Sequence, residues 1–432
     1  MSSNLMKHAL CLDCFLLTMI LARSRINAAA AFLPTVNSRT IHHHHRTKRI
    51  LYSTSPSSAT SDFDAVAVPL GYEEEKQKPR FRIFYNDVYE VQLPKNHRFP
   101  MNKYRQVREM VQQSFRELPE EEQHRVHYDF QISPLASEEE LITTHSPEYV
   151  KKVMTGDLTE MELRNVGFPW SEENVKRSTS SVGGTVAAAK FVCDHIEQQR
   201  QRGGSNSSHS NSSNSNNNNY STTIAPWAAH VAGGTHHAFC DRGEGFCVFS
   251  DIAVAANVIL QNYDWVQRIL ILDLDVHQGN GNAVLFQNRP EVVTVSIHCS
   301  ANYFSEKQTS DLDIELPPDS SDQTYLMTLR HWLKQIKQQQ QQQQQDGGKF
   351  DLVFFQAGVD ILKDDRLGRM SVSQKGIERR NELVFDFVRE LNVPFVITMG
   401  GGYPRTDDWA PILQAHASVY KQARQYLSNL VK

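Results

Sequence analysis

Two side chains that can bind a metal ion, Asp275 and His277, lie at the end of a largely apolar segment that predicts a strand over residues 268–275. Alternate side chains of an extended chain share one face, so this carboxylate and this imidazole can bind the same ion. A third ligand, Asp360, comes after a second apolar run, residues 350–355. One imidazole and two carboxylates favour a catalytic zinc site with a position left for water or substrate.

Two other segments place polar side chains after glycines at predicted strand ends. His236 and His237 follow Gly233-Gly234-Thr235, and Tyr403 follows Gly400-Gly401-Gly402. In an open parallel α/β sheet, ligands bind at the carboxyl ends of the strands. Imidazoles titrate near neutral pH and therefore suit proton transfer, although spacing alone leaves both histidines open as further metal ligands.

Five sequence blocks contain most of the residues that could do chemistry. The blocks are Gly233-Gly234-Thr235-His236-His237-Ala238, Asp241-Arg242-Gly243-Glu244-Gly245-Phe246-Cys247, Asp273-Leu274-Asp275-Val276-His277-Gln278-Gly279-Asn280-Gly281, Asp360-Ile361-Leu362 with Asp365-Arg366-Leu367-Gly368, and Gly400-Gly401-Gly402-Tyr403. Over residues 81–427 these blocks and their order resemble the zinc-dependent histone deacetylase superfamily. An ordered set is far more specific than any one block. Gln278-Gly279-Asn280 and the Gly-Val-Asp-Ile-Leu context resemble the class IV branch and its bacterial and plastid-lineage relatives more than class I.

The resemblance implies roles for these side chains. One zinc ion would be held by Asp275, His277 and Asp360. His237 would act as general base and acid, with His236 as its electrostatic partner. Tyr403 would donate a hydrogen bond to the oxyanion that forms across from the zinc, and a tyrosine that only packs at a turn is the alternative.

Residues around the predicted metal site receive supporting roles from the same resemblance. Asp273 would orient His236, and Asn280, where many family members have aspartate, would be a neutral partner for His237. A structural monovalent cation, usually potassium, would be bound by Asp273, Asp275, His277, Ser296 and Ile297. Gly245 and Phe246 would line the acyl-lysine channel, and a core phenylalanine beside a tight turn is the alternative for Phe246.

The predicted activity is a metal-dependent amidohydrolase that removes acyl groups, acetyl or longer, from lysine side chains of proteins. Zinc would polarise the amide carbonyl and lower the pKa of a water towards ~7. One alternative is hydrolysis of acetylated polyamines, and another is a catalytically idle acyl-lysine binder. An arginase-like enzyme with two metals usually has a further aspartate just beyond the histidine, where this chain has Gln278-Gly279-Asn280.

Composition separates a basic beginning from an acidic remainder. The chain has 432 residues, 40% of them hydrophobic, and a net charge of −4. Seven basic residues and one acid in the first sixty give +6, which leaves −10 for the rest. An acidic body argues against sequence-independent nucleic-acid binding, which needs cations to replace phosphate counterions.

Residues 1–61 have the composition of a leader. The apolar stretch at residues 14–22 is too short to span a bilayer and is typical of a signal-peptide core. Ala28-Ala29-Ala30-Ala31-Phe32-Leu33-Pro34 and the basic, hydroxyl-rich tract after it resemble the bipartite presequence of algae with secondary plastids. The prediction is plastid import, with secretion, the endomembrane system or another organelle as alternatives, and no membrane span in the mature chain.

Alternation of strands and helices predicts an α/β catalytic domain over residues 81–427. We expect a single open parallel sheet with helices on both faces, as in the arginase and deacetylase folds. Predicted strands cover residues 81–85, 225–231, 268–275, 292–298, 350–355 and 393–398, and predicted helices cover 101–115, a segment beginning at Pro147, and 174–201.

Two low-complexity inserts interrupt the predicted domain. The Ser/Asn tract at residues 203–219 has too little apolar surface to fold and is predicted to be a disordered loop. The glutamine run at residues 338–345 follows an amphipathic stretch, residues 325–336, and is expected to extend that helix. Neither insert is expected to carry catalysis.

Overall fold

The computed structural model of the protein describes residues 79–95, 97–205, 224–342 and 348–431. The predicted leader, residues 1–61, and residues 206–219 of the Ser/Asn tract lie outside these ranges. Over the described ranges, no helix is long and apolar enough to cross a membrane.

Within the described ranges, parallel strands form one sheet. The strands are β1 Arg80–Tyr85, β2 His127–Ile132, β3 Trp227–His230, β4 Ile269–Asp273, β5 Val292–Cys299, β6 Leu312–Leu316, β7 Leu352–Gln356 and β8 Phe395–Thr398. These eight strands of the described residues lie in the order β2-β1-β3-β8-β7-β4-β5-β6. The central strands are continuous apolar runs, because a parallel sheet in an α/β fold is buried on both faces. The predicted fold class is confirmed.

Helices cover the two faces of this sheet. Their bounds are α1 Lys103–Arg116, α2 Glu120–Gln123, α3 Glu138–Leu141, α4 Pro147–Thr155, α5 Glu160–Val166, α6 Glu172–Ser205, α7 Asp251–Asn262, α8 Asn280–Leu285, α9 Asp322–Gln342, α10 Gln374–Leu391 and α11 Ala410–Asn429. Along β4, Leu270 and Leu272 belong to the core under α1, α9, α10 and α11, whereas Ile269 and Ile271 belong to the core under α6 and α7. This period of two shows that each face has its own hydrophobic core.

The two edge strands were not predicted. β2 (His127–Ile132) has no fully buried residue, and β6 (Leu312–Leu316) alternates buried with exposed positions. Each pairs with one neighbour and lacks the continuous apolar run that identified the central strands. The prediction for β4 was also too long. The strand ends at Asp273, and side-chain carboxylates replace strand carbonyls as acceptors for the N–H groups of Asp275 and Val276.

The inserts are partly helical. Helix α9 continues to Gln342, so the predicted extension of the helix into the glutamine run is confirmed there, and residues 343–345 lie outside the described ranges. Helix α6 continues to Ser205, so the prediction of a disordered loop is wrong for residues 203–205. A formed helix gains one hydrogen bond for each residue added, which carries it past the predicted end.

Candidate active site

Four neighbouring strands, β3, β8, β7 and β4, end at one edge of the sheet, and the predicted site residues follow them. His236 and His237 come after β3, Tyr403 after β8, Asp360 after β7, and Asp275 with His277 after β4. A single cavity is lined by His236, His237, Gly245, Phe246, Asp275, His277 and Tyr403. The structure therefore brings together residues that the sequence separates by more than 160 positions.

The three predicted metal ligands converge at the floor of this cavity. Nδ1 of His277 lies 3.1 Å from Oδ1 of Asp275 and 3.1 Å from Oδ2 of Asp360. Their ligand atoms all lie within 4.8 Å of one another, and all three residues are buried. Among the described residues, this is the one group of three or more acidic, histidine or cysteine side chains close enough to hold a metal ion.

The charge of this group suits a divalent cation. Burial lowers the pKa of His277, but the hydrogen bonds and charges of Asp275 and Asp360 raise it to about 10, so a cation is favoured at its Nδ1. Backbone N–H groups fix the carboxylates: Val276 donates to Asp360 Oδ1 at 2.9 Å, and Gly401 donates to Asp275 Oδ2 at 2.7 Å. Two buried carboxylates and an imidazole are the ligand set of a metal centre rather than of a simple ion pair.

His236 is paired with a carboxylate, as predicted. Its Nδ1 donates to Asp273 Oδ2 at 2.6 Å, and its Nε2 lies 3.9 Å from Asp275 Oδ1. Burial alone would lower the pKa of His236, but the charges of Asp273 and Asp275 outweigh burial and raise it. This histidine is therefore suited to holding a proton.

His237 has the opposite character. Its Nδ1 donates to Asn280 Oδ1 at 2.7 Å, which leaves Nε2 free to accept a proton. Burial, followed by the positive charges of His236 and His277, holds the pKa of His237 well below its usual value. The two adjacent imidazoles, with ring centroids 3.9 Å apart, thus favour different protonation states.

Tyr403 extends from a glycine turn and is half-buried at the cavity. Asp365 Oδ2 accepts a hydrogen bond from the Tyr403 backbone N–H at 2.6 Å, and the Arg366 N–H donates to the Tyr403 carbonyl at 2.8 Å. Burial, with the nearby charges of Asp360 and Asp275, raises the pKa of Tyr403 well above its usual value. The phenol therefore keeps its proton and can donate a hydrogen bond.

Aromatic rings form the walls of the predicted channel. Gly245 has φ +54°, and a Cβ there would lie 2.8 Å from Cδ2 of His237, so the backbone approaches the imidazole closely. The ring of Phe246 lies 6.1 Å from that of Tyr403, and Phe304, which the sequence did not identify, lies 4.9 Å from His237. Gly245 and Phe246 both line this cavity, and their role in an acyl-lysine channel stays a prediction.

The residues predicted to bind a monovalent cation lie on adjacent segments. Asp273 at the end of β4 pairs in register with Ser296 on β5, and Ile297 follows. The Ser296 hydroxyl hydrogen-bonds to Nδ1 of His298 at 2.9 Å. Asp275 and His277 belong to the metal-ligand group, and the potassium site remains a prediction.

Three supporting residues were missed by sequence reasoning. Asp251, fully buried, accepts hydrogen bonds from the N–H groups of Gly234 and Thr235. Asn302 Nδ2 lies 3.2 Å from Nε2 of His277. Lys103 is buried on the apolar face of α1, and a lysine at helical spacing from Val107, Val111 and Phe115 was the available signal.

A histone deacetylase domain matches residues 97–419. An uncharacterized protein of Picosynechococcus is 35% identical over 344 residues, covering 80% of this chain and 98% of the relative. Histone deacetylase 2 of Arabidopsis thaliana is 25% identical over 83% of this chain and 86% of its own, and the acetoin utilization protein AcuC of Bacillus subtilis is 25% identical over 67% and 70%. The protein belongs to the histone deacetylase family.

Solved structures show the same fold. The HDA15 HD domain superposes with a TM-score of 0.59 at 18% identity, covering 81% of this chain and 90% of that one. A histone deacetylase homologue complexed with SAHA superposes with a TM-score of 0.56 at 22% identity, covering 82% and 84%. These structures show the fold, and the family match with the named relatives supports a deacetylase-type amidohydrolase.

Proposed function

We propose that the protein is a zinc-dependent lysine deacylase that hydrolyses acyl-lysine side chains of proteins. One observation carries the proposal: two adjacent histidines with opposite protonation preferences face the same cavity as a three-ligand metal group and a protonated tyrosine. An idle acyl-lysine binder would need neither the paired histidines nor the metal ligands. Hydrolysis of acetylated polyamines, the alternative activity, would use the same chemistry and differ only in the amine that is released.

The chain's own residues divide the work of hydrolysis. When bound by Asp275, His277 and Asp360, zinc supplies a Lewis acid. His237, neutral at Nε2, takes the proton of the attacking water and later protonates the leaving amine. His236 keeps its positive charge beside Asp273, which stabilises negative charge in the cavity, and Tyr403 donates a hydrogen bond to the oxyanion.

The channel favours a long, unbranched side chain. The Phe304 ring lies edge-on to His237, Phe246 lines the same cavity, and Gly245 leaves room for the backbone to come close to His237. The four methylenes of a lysine fit between apolar walls while the acyl group reaches the metal group. We include both acetyl and longer acyl chains in the proposal, and the peptide assay described below decides which of them the enzyme removes.

Subclass, domain bounds and location are further proposals. Gln278-Gly279-Asn280 and the Gly-Val-Asp-Ile-Leu context support a class IV-like enzyme with a catalytic domain over residues 81–427. The composition of residues 1–61 supports import into a plastid, where organellar proteins rather than histones would be the substrates. A fluorescent protein fused behind residues 1–78 should then enter plastids, and retention in the secretory pathway would contradict this address.

Hydrolysis by the full chain, supplemented with zinc, tests the activity. We expect turnover of acetyl-lysine or myristoyl-lysine peptides that is lost on chelation and in Asp360→Ala, and is strongly reduced in Tyr403→Phe. Turnover of acetylated polyamines alone would make the protein a small-molecule amidohydrolase. Binding of acyl-lysine peptides without metal-dependent turnover would make it an idle binder.

A further inference from the structure

Lys103 is a buried cation in an unfavourable place. It is the first residue of α1 and is 1% exposed, on the same buried stripe as Val107 and Val111. A positive charge in the first turn opposes the helix dipole, and removing an ammonium group from water costs several kcal/mol. Burial lowers the pKa of Lys103 to about 8, against the charges of Asp360, Asp365 and Asp275, so the group stays cationic at neutral pH.

The contacts of Lys103 lead to the turn that carries Tyr403. Over the described residues, its ammonium group hydrogen-bonds to the carbonyl oxygen of Gly402 alone, at 2.9 Å. Nζ lies 5.2 Å from the centroid of the Tyr403 ring and 5.2 Å from that of Tyr104. These are distances for a cation–π interaction. Lys103 thus touches both the backbone just before Tyr403 and the face of its ring.

Lys103 bonds the carbonyl of this turn that directly precedes Tyr403. Asp365 and Arg366 hold the backbone N–H and carbonyl of Tyr403 itself. The N–H groups of Gly400 and Gly401 also have partners, the Gly233 carbonyl and Asp275 Oδ2. A run of glycines is the most flexible backbone available, and among the described residues Lys103 is what fixes the Gly402 carbonyl next to Tyr403.

We propose that Lys103 is a positioning residue, which holds the Gly402 carbonyl and the Tyr403 ring so that the phenol faces the metal-ligand group. The inference rests on the proposed function, since Tyr403 acts on the oxyanion only in that chemistry. A second interpretation is that Lys103 only balances the charge of Asp275, Asp360 and Asp365. The two differ in what Lys103 acts through: Tyr403 in the first, and the metal ligands in the second.

A double-mutant cycle between Lys103 and Tyr403 tests the proposal. In the full chain, Lys103→Met should lower kcat on the acyl-lysine peptide by about 10–100-fold with KM within about twofold, because a small misplacement of a reacting group has that effect. In a Tyr403→Phe background, the same change should cost less than about threefold, since the group it positions is already gone. Zinc affinity, measured by chelator competition, should stay within about twofold of the wild type.

Two results would overturn the inference. Equal losses in both backgrounds would mean that Lys103 does not act through Tyr403, and a parallel loss of zinc affinity would assign it to charge balance. Full activity in Tyr403→Phe would instead overturn the proposed role of Tyr403, which is a separate failure. Arg105→Met is the matched control: it removes an exposed cation from the same helix and should leave kcat unchanged.

Folding is checked on the same samples by thermal melting. If Lys103→Met does not fold, the double-mutant cycle is repeated with Lys103→Gln, which has a neutral amide. The same two outcomes then decide between positioning of Tyr403 and charge balance. Lys103→Gln should lower kcat when Tyr403 is present, have little effect on kcat in the Tyr403→Phe background, and keep the zinc affinity of the wild type. Loss of zinc affinity in this variant would again assign Lys103 to charge balance.

Discussion

The turns after β3 and β8 follow neighbouring strands and are built alike, yet the buried helix residues that hydrogen-bond to them have charges of opposite sign. Each turn has glycines with positive φ and ends in side chains that we propose to be catalytic, and Gly400 N–H donates to the Gly233 carbonyl at 3.3 Å. Asp251, in the first turn of α7, accepts hydrogen bonds from N–H groups of the β3 turn. Lys103, in the first turn of α1, donates to a carbonyl of the β8 turn.

Asp251 and Lys103, which we call the anchors of the two turns, differ in how they affect the stability of the fold. Asp251 accepts hydrogen bonds from Gly234, Thr235 and Thr185, and an anion suits a helix N-terminus. Lys103 has one hydrogen bond there and opposes the dipole of its helix. Asp251 therefore bonds the β3 turn and also stabilises the fold. Lys103 bonds the β8 turn, but its buried charge does not stabilise the fold.

The largest expected effect comes from removing the group that each turn presents. His237→Ala should lower kcat/KM by about 10⁴-fold, because it removes both proton transfers. Tyr403→Phe should lower it by about 10²–10³-fold, because one oxyanion donor is lost. Steady-state kinetics with zinc content measured for each variant checks the order, and a greater loss in Tyr403→Phe would contradict the assignment of the base.

Gly234→Ala should disrupt both turns at once. Gly234 has φ +77°, and a Cβ there would lie 2.6 Å from the backbone nitrogen of Gly400. A strained φ and a backbone clash together should cost about 4 kcal/mol of unfolding free energy. Gly156→Ala is the matched control, since φ is +81° but its Cβ meets only the Trp170 side chain; it should cost about half as much. Chemical denaturation measures both, and equal losses would show that the close approach of Gly234 to the Gly400 backbone adds nothing to the cost of the strained φ.

The predictable part of the site is the part that follows buried strands. Asp275, His277 and Asp360 each come directly after an apolar run, and the sequence therefore places them at the sheet's carboxyl edge. Asp251 and Lys103 could not be assigned in this way, because their roles depend on distant partners. Lys103 and Gly402 are 299 residues apart, and nothing local to either indicates the contact.

The same reasoning explains which strands were found. The central strands are buried on both faces and appear as continuous apolar runs, but β2 and β6 at the edges mix polar and apolar residues. The end of β4 was misplaced for a different reason. Asp273 and Asp360 accept hydrogen bonds from the N–H groups of Asp275 and Val276, respectively. Val276 and Asp360 are 84 residues apart, so no local sequence pattern indicates their hydrogen bond.

Replacing each anchor should change stability in opposite ways. Asp251→Asn should cost about 3 kcal/mol of unfolding free energy, because its amide NH₂ would face backbone donors. Lys103→Met should cost little or increase stability, because a buried cation gives way to an apolar side chain of similar length. Thermal denaturation compares them, with Asp264→Asn as an exposed control; similar destabilisation by both would remove the distinction between the anchors.

Asn280→Asp tests the protonation difference between the two histidines and has the smallest expected effect. A carboxylate 2.7 Å from Nδ1 of His237 would favour the imidazolium and raise the pKa that burial now holds low. Because the base must be neutral, activity is present above this pKa and lost below it, so the acidic limb of the kcat/KM profile should move to higher pH by about one unit, or ~1.4 kcal/mol. Asn288→Asp adds the same charge at an exposed position and should leave the profile unchanged. An acidic limb that stays in place in Asn280→Asp would mean that another group controls it, and His236, already paired with Asp273, would then be the candidate base.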